Sequence, residues 1–159
     1  MTVRHPTILL VEDNDDQRAA LAVLMQAKGY DVAVAADGIE ALQALRENDP
    51  PTLVLLDLGL PRMNGWQLRR EMLRDDKLAS VPVVLVSGES DLDQIAKSLS
   101  VAGYLQKPHR LESLFQLLED HCRAENLREA QLPRRSALAE EGFSSCPEDE
   151  GWEDRLNAL

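Results

Sequence analysis

The stretch Leu53-Val54-Leu55-Leu56-Asp57-Leu58-Gly59-Leu60-Pro61-Arg62-Met63-Asn64-Gly65 narrows the folds open to this chain more than any other. Four consecutive apolar residues run into an aspartate, and Gly, Pro, Asn and Gly then break the pattern. An apolar run this short and without alternation fits a strand covered on both faces, as strands of a parallel sheet are. Such a strand hands its next residue to the carboxyl edge of the sheet, where open α/β folds bind their ligands. Here that residue is a carboxylate, Asp57.

The same punctuation recurs along the chain. Thr7-Ile8-Leu9-Leu10-Val11 ends in Glu12-Asp13-Asn14-Asp15-Asp16. Acids are favoured at a helix start by its dipole, so Asp15 and Asp16 read as capping and as a solvated face of a helix over about 15–28. That helix carries Leu21, Leu24 and Met25 at helical spacing and is ended by Gly29. A short strand from Asp31 to Ala36 follows, and Asp37-Gly38 caps a helix bearing Ile39, Leu42 and Leu45 that stops before Asp49-Pro50-Pro51. After Asp57 comes a helix over about 65–74, with Met63 and Trp66 read as packing residues. Val81 to Val86 is a fourth strand, ending in Ser87-Gly88-Glu89, with its proline at the start where a missing donor is tolerated. A polar helix from Asp91 to Leu99 and a fifth strand from Val101 to Gln106 lead into Lys107-Pro108. From Arg110 the spacing of Leu111, Leu114, Phe115, Leu118 and Cys122 marks a last amphipathic helix, extending towards Leu132 before Pro133.

Five strand-then-helix repeats predict an α/β fold: a five-stranded parallel sheet with helices on both faces. Right-handed crossovers place every strand's carboxyl end on one edge. That edge then collects Glu12, Asp13, Asp57, Ser87 and Lys107. In a flavodoxin-like order 2-1-3-4-5, strands one and three are neighbours, which brings Glu12, Asp13 and Asp57 together.

Composition sets the bounds. At 159 residues the chain holds one full-sized core, and a net charge of −11 with a pI near 4.7 weighs against direct binding to nucleic acid or to an anionic membrane. The sequence has no apolar run long enough for a span and no leader pattern, and Cys122 and Cys146 show no metal spacing; a reduced, cytoplasmic setting is the simplest expectation. From Glu125 onward there are nine acids against four arginines and few apolar residues. Residues 1–124 are therefore expected to form the folded domain and 125–159 an acidic, mostly disordered tail, in which Trp152, Leu156 and Leu159 form a candidate interaction element.

Two unit charges about 4 Å apart repel by roughly 4 kcal/mol at an effective dielectric near 20. Three clustered carboxylates therefore call for a proton or a cation. Oxygen-only ligands with room for water and phosphate suit Mg²⁺. Lys107 adds a fixed positive charge and Ser87 a hydroxyl. A carboxylate nucleophile, a divalent cation, a lysine and a hydroxyl are the parts that phosphoryl transfer to aspartate requires.

Taken in order, Glu12-Asp13, Asp57 with Pro61 and Gly65, Ser87-Gly88 and Lys107-Pro108 form a specific set. Over about residues 6–124 the chain resembles a receiver domain of a two-component response regulator, of the stand-alone, chemotaxis-regulator-like kind. The resemblance implies that Asp57 accepts a phosphoryl group from a sensor histidine kinase or phosphotransfer protein. It implies that Glu12, Asp13, Asp57 and the backbone carbonyl of Gly59 surround Mg²⁺, and that Lys107 and Ser87 hold phosphoryl oxygens. A cis Lys107-Pro108 bond is also implied. Ser87 and Tyr104 would form the switch, altering the surface of the fourth helix, fifth strand and fifth helix for a downstream protein target. Whether that change also drives a homodimer stays open. Departures from the family pattern are Ser100-Val101-Ala102-Gly103 before the fifth strand, His109 after Lys-Pro, and Gly59 and Glu89 at positions that line the approach of water.

Three other readings use the same residues. A phosphate shuttle or sink would differ only in phosphoryl lifetime and partner. A receiver-like module that is never phosphorylated is disfavoured by the full set of site residues. An Mg²⁺-dependent aspartyl-phosphate hydrolase needs an acid two residues past the nucleophile, and that position is Gly59. The expectation is a signalling receiver that assists its own phosphorylation and dephosphorylation, not an enzyme of turnover. His5, His109 and His121 have no partners at ligand spacing and read as surface residues.

Overall fold

Burial along the strands shows which are central. In the computed structural model, which describes the backbone of residues 5–131 and side chains through residue 123, β1 (Thr7–Val11), β3 (Leu53–Leu56) and β4 (Val83–Ser87) are buried almost throughout. β2 (Asp31–Ala35) and β5 (Gly103–Gln106) are largely exposed or half-buried, as edge strands are. The order is β2-β1-β3-β4-β5 and every pairing is parallel. The α/β fold with strand order 2-1-3-4-5 is therefore as the sequence predicts.

Successive strand residues point to opposite faces, so one apolar run supplies two cores. Leu9, Val11, Val54, Leu56, Val83 and Leu85 pack against α2 (Gly38–Glu47), α3 (Gly65–Arg74) and α5 (Leu92–Ser98). Ile8, Leu10, Leu53, Leu55, Val84 and Val86 face Met25 of α1 (Asp15–Ala27) and Leu114 and Leu118 of α6 (Leu111–Gln131). This is why the strands read as continuous hydrophobic runs.

Three helices on the functional edge, α1, α2 and α3, start from a polar side-chain cap. Asn14, Asp37 and Asn64 accept the N–H of Gln17, Glu40 and Gln67 at 2.9–3.0 Å, and the Gln67 side chain returns a bond to the Asn64 N–H. In α1 the cap is Asn14, while Asp15 and Asp16 occupy the first turn.

Three features differ from the expected layout. A one-turn helix, α4 (Asp76–Ala79), follows α3, so the expected fourth and fifth helices are α5 and α6. β5 begins at Gly103 rather than Val101, because Ser100 adopts φ 52° and Val101 N–H returns to the Ala96 carbonyl, closing α5. Leu24, placed by its spacing on the apolar face of α1, is 38% exposed, and Met25 is the fully buried residue of that helix.

The chain divides into two units, Met1–Glu125 and Asn126–Leu159. Of the second, the described residues are the helical 126–131 that continue α6, in line with the expected extension towards Leu132. The acidic tail beyond, with Cys146, Trp152, Leu156 and Leu159, lies outside the described residues. No helix among the described residues is long and apolar enough to cross a membrane.

Candidate phosphoacceptor site

Register brings the acids together. Val11 pairs with Leu56, so the residues that follow, Glu12 and Asp57, leave adjacent strands side by side. The Asp57 N–H bonds the Val11 carbonyl at 3.1 Å and the Glu12 N–H bonds the Ala35 carbonyl at 3.1 Å. Glu12, Asp13 and Asp57 can each offer a carboxylate oxygen within 4.8 Å of the others. Glu12 is buried, Asp57 half-buried and Asp13 exposed, so the cluster is closed below and open above.

Lys107 arrives from β5. Its N–H donates to the Ser87 carbonyl at 2.8 Å, extending the β4–β5 pairing by one residue, and Lys107-Pro108 is cis. The Nζ lies 3.0 Å from Glu12 Oε2 and 3.0 Å from Asp57 Oδ2. The other oxygens are also engaged: Asn14 N–H donates to Glu12 Oε1 at 3.2 Å and Gly59 N–H to Asp57 Oδ1 at 3.1 Å. Arg18, which the sequence did not single out, donates to the Glu12 carbonyl at 2.9 Å and steadies the turn after β1.

The electrostatics follow from this geometry. Burial pushes the Glu12 carboxyl above its ordinary value, and the bonds from Lys107 and Asn14 oppose that only in part. Burial works against the Lys107 charge, but the hydrogen bonds to Glu12 and Asp57 outweigh it and leave the ammonium above its ordinary value. Three carboxylates face one ammonium, and all the acidic donors are oxygen. That donor set fits a small hard divalent cation.

The remaining residues flank this cluster. Ser87 ends β4 with its hydroxyl buried, accepting the Glu89 N–H at 3.4 Å. A Cβ built on Gly59 would stand 4.0 Å from Asp57 Oδ1, so the glycine leaves that flank of the carboxylate bare. Tyr104 points outward, 42% exposed, and its hydroxyl donates to Asp93 Oδ1 of α5 at 3.0 Å. Beside Glu12 and Asp57, α1 and α6 enclose a cavity of about 580 Å³ walled by Leu21, Leu24, Leu111 and Leu114. His109 lines it and is half-buried rather than a surface residue, with Nδ1 enclosed and without a hydrogen-bond partner. His121 is likewise half-buried, its Nε2 3.2 Å from where a Cβ on Gly103 of β5 would stand, while His5 is exposed.

Comparison with known proteins places the chain in a family. The family model of the response regulator receiver domain matches residues 8–119. The DNA-binding response regulator MtrA of Mycobacterium tuberculosis H37Rv is 36% identical over 116 residues, covering 72% of this chain and 49% of that protein. The transcriptional regulatory protein AfsQ1 of Streptomyces coelicolor is 35% identical over 105 residues, 65% of this chain and 45% of its own length. The chain thus spans about half the length of the curated relatives it matches. Among solved structures, chemotaxis response regulator CheY4 of Vibrio cholerae superposes with TM-score 0.69 at 25% identity, covering 74% of this chain and 99% of that one. The receiver domain of sensor histidine kinase PA1611 from Pseudomonas aeruginosa, solved with a magnesium ion coordinated in its active-site cleft, gives TM-score 0.68 at 26% identity over 75% of this chain and 98% of its own. With the strand order, the acidic cluster and a match across well over half its length, the chain belongs to the response regulator receiver domain family.

Proposed function

We propose that this chain is a phosphorylation-dependent signalling switch in which Asp57 accepts a phosphoryl group from a histidine kinase or phosphotransfer protein. One observation carries the reading: Lys107 Nζ stands 3.0 Å from Asp57 and 3.0 Å from Glu12, within a cluster that also holds Asp13. A carboxylate oxygen of Asp57 attacks phosphorus in line. The bond from phosphorus to the donor nitrogen breaks, and its electron pair leaves with the imidazole, giving an acyl phosphate on Asp57.

Glu12, Asp13, Asp57 and the carbonyl of Gly59 are the groups that would hold Mg²⁺, which when bound neutralises charge on the phosphoryl oxygens. Lys107 is fixed by two carboxylates before the reaction, so it meets the new oxygens without reorganising. Ser87, at the end of β4, is the hydroxyl donor for a phosphoryl oxygen, and its movement frees space for Tyr104 to turn from Asp93. The surface changed is then α5, β5 and the start of α6, and its reader is a downstream protein. Gly59 offers no acid for turnover, which favours a stored acyl phosphate over a hydrolase.

The test is intact-protein mass after incubation with acetyl phosphate and Mg²⁺. One phosphoryl adduct is expected on the wild type and none on Asp57→Asn or in excess chelator. Steady phosphate release from varied monoesters would favour the hydrolase instead.

A further inference from the structure

The loop between Asp57 and α3 is tied to the start of α2 by residues 25 positions apart in the chain. Asp37 is buried at the end of β2, and its two oxygens have separate tasks. Oδ1 caps α2 by accepting the Glu40 N–H at 2.9 Å. Oδ2 accepts Arg62 Nε at 2.8 Å and also the Arg62 terminal nitrogen. Next to this pair, the Gly38 N–H donates to the Met63 carbonyl at 3.0 Å, and a Cβ on Gly38 would sit 2.4 Å from that oxygen. The other end of the loop is equally close-fitted, since a Cβ on Gly65 would lie 2.6 Å from the Asp57 carbonyl.

Arg62 stands at φ 61°, a left-handed backbone that favours glycine or asparagine over a long side chain. A glycine would take that turn without strain, but it would leave the Asp37 oxygen without its partner. Burial works against the Asp37 charge, yet the Glu40 N–H and the Arg62 guanidinium prevail and hold its carboxyl below the usual range. The same loop carries Gly59, whose N–H holds Asp57 Oδ1 at 3.1 Å. A shift of the loop is therefore passed to the carboxylate that faces Lys107.

We propose that Asp37 and Arg62 are positioning residues for the acidic site: their ion pair locks the 58–64 loop so that Asp57 is oriented for metal and phosphoryl binding. This rests on the phosphoacceptor reading of Asp57. Neither residue touches the reacting atoms. Both act through Gly59 and the backbone of the loop, as groups that orient metal-binding side chains do.

The experiment is calorimetric titration of the full chain with Mg²⁺, run beside thermal unfolding in chelator and the rate of uptake from acetyl phosphate. Arg62→Gly keeps an easy backbone and removes only the pair; Asp37→Asn keeps a helix cap and removes the charge. Both are expected to raise the Mg²⁺ dissociation constant about tenfold and slow uptake. Arg62→Lys, which keeps the charge but not the two-nitrogen grip, should fall between. Leu118→Ala, a core change on the opposite face of the sheet, serves as a control that lowers stability and leaves the constant unchanged. A constant within twofold of wild type in both Arg62→Gly and Asp37→Asn overturns the proposal. So does a loss of affinity in Leu118→Ala that matches its loss of stability. A wild-type chain that binds no Mg²⁺ or takes up no phosphoryl group would instead bring down the underlying reading, and the inference with it.

Discussion

Lys107 Nζ bridges Asp57 Oδ2 and Glu12 Oε2 at 3.0 Å each, so one ammonium from the end of β5 neutralises carboxylates from the ends of two neighbouring strands. The bridge makes the site a compromise. Without a metal, Lys107 is the positive charge among the acids; with one, it must share them.

Replacing Lys107 by methionine separates these roles. Removing one positive charge from a cluster of three carboxylates should tighten Mg²⁺ binding severalfold, because the cation no longer competes with an ammonium for the same oxygens. Phosphoryl uptake should nevertheless slow by at least tenfold, because the charge that meets the phosphoryl oxygens is gone. Mg²⁺ titration and stopped-flow uptake from acetyl phosphate check the two directions. Weaker metal binding in Lys107→Met would contradict the electrostatic account.

Asp37 predicts a pH dependence with a definite sign. Its folded carboxyl is held below its ordinary value of 3.8. Its contribution to stability is thus complete above the unfolded pKa, about 3.9, and decays as pH falls through the lower folded value. Asp37→Asn should cost about 1 kcal/mol at neutral pH, a figure discounted for the exposure of Arg62. The difference from wild type should shrink steadily in denaturant melts as pH falls below about 4. A gap that persists there would place the stabilisation in packing instead.

Glu12 predicts the opposite shift on the acid side of metal binding. Burial raises its carboxyl above the ordinary value of 4.5, so it takes up a proton at a pH where an ordinary glutamate is still charged. Mg²⁺ requires it ionised. Binding should therefore release protons and weaken at a pH where an ordinary carboxylate is still charged. Calorimetric titrations in buffers of different ionisation enthalpy count those protons; Glu12→Gln should remove the release along with most of the affinity.

The outward Tyr104 gives a spectroscopic prediction. Its hydroxyl is raised above the ordinary tyrosine value by the hydrogen bond to Asp93 and by that carboxylate's charge. Asp93→Ala should lower the alkaline phenolate transition of Tyr104 towards its ordinary value, read as absorbance near 295 nm against a Tyr104→Phe control. An unchanged transition would mean that the hydroxyl does not dwell on Asp93 in solution.

Much of this was legible because the chemistry follows the strand pattern. Each apolar run delivers its polar successor to one edge, and the parallel register turns Glu12, Asp57 and Lys107 into neighbours without any local signal for their contact. What escaped were contacts between loops. The Asp37–Arg62 pair was hidden because Asp37 reads fully as a helix cap and Arg62 as a turn residue. Arg69, on a helix face that charge alone would send to solvent, is buried because its guanidinium bonds the Leu99 and Ser100 carbonyls that end α5, at 3.0 and 2.8 Å. The one-turn helix Asp76–Ala79 is too short to show a period. His109 follows Lys107-Pro108 into the apolar cavity, a position set by the chain's turn and not by its own polarity.

The central claim is that Asp57 itself becomes an acyl phosphate. Borohydride reduces an aspartyl phosphate to homoserine, so treating the acetyl phosphate- and Mg²⁺-exposed protein with borohydride and sequencing its peptides by mass spectrometry reads the site directly. Homoserine at position 57, dependent on Mg²⁺ and absent from Lys107→Met at short times, is the expected result. Reduction at Asp13 or another carboxylate, or no homoserine at any position, would contradict it.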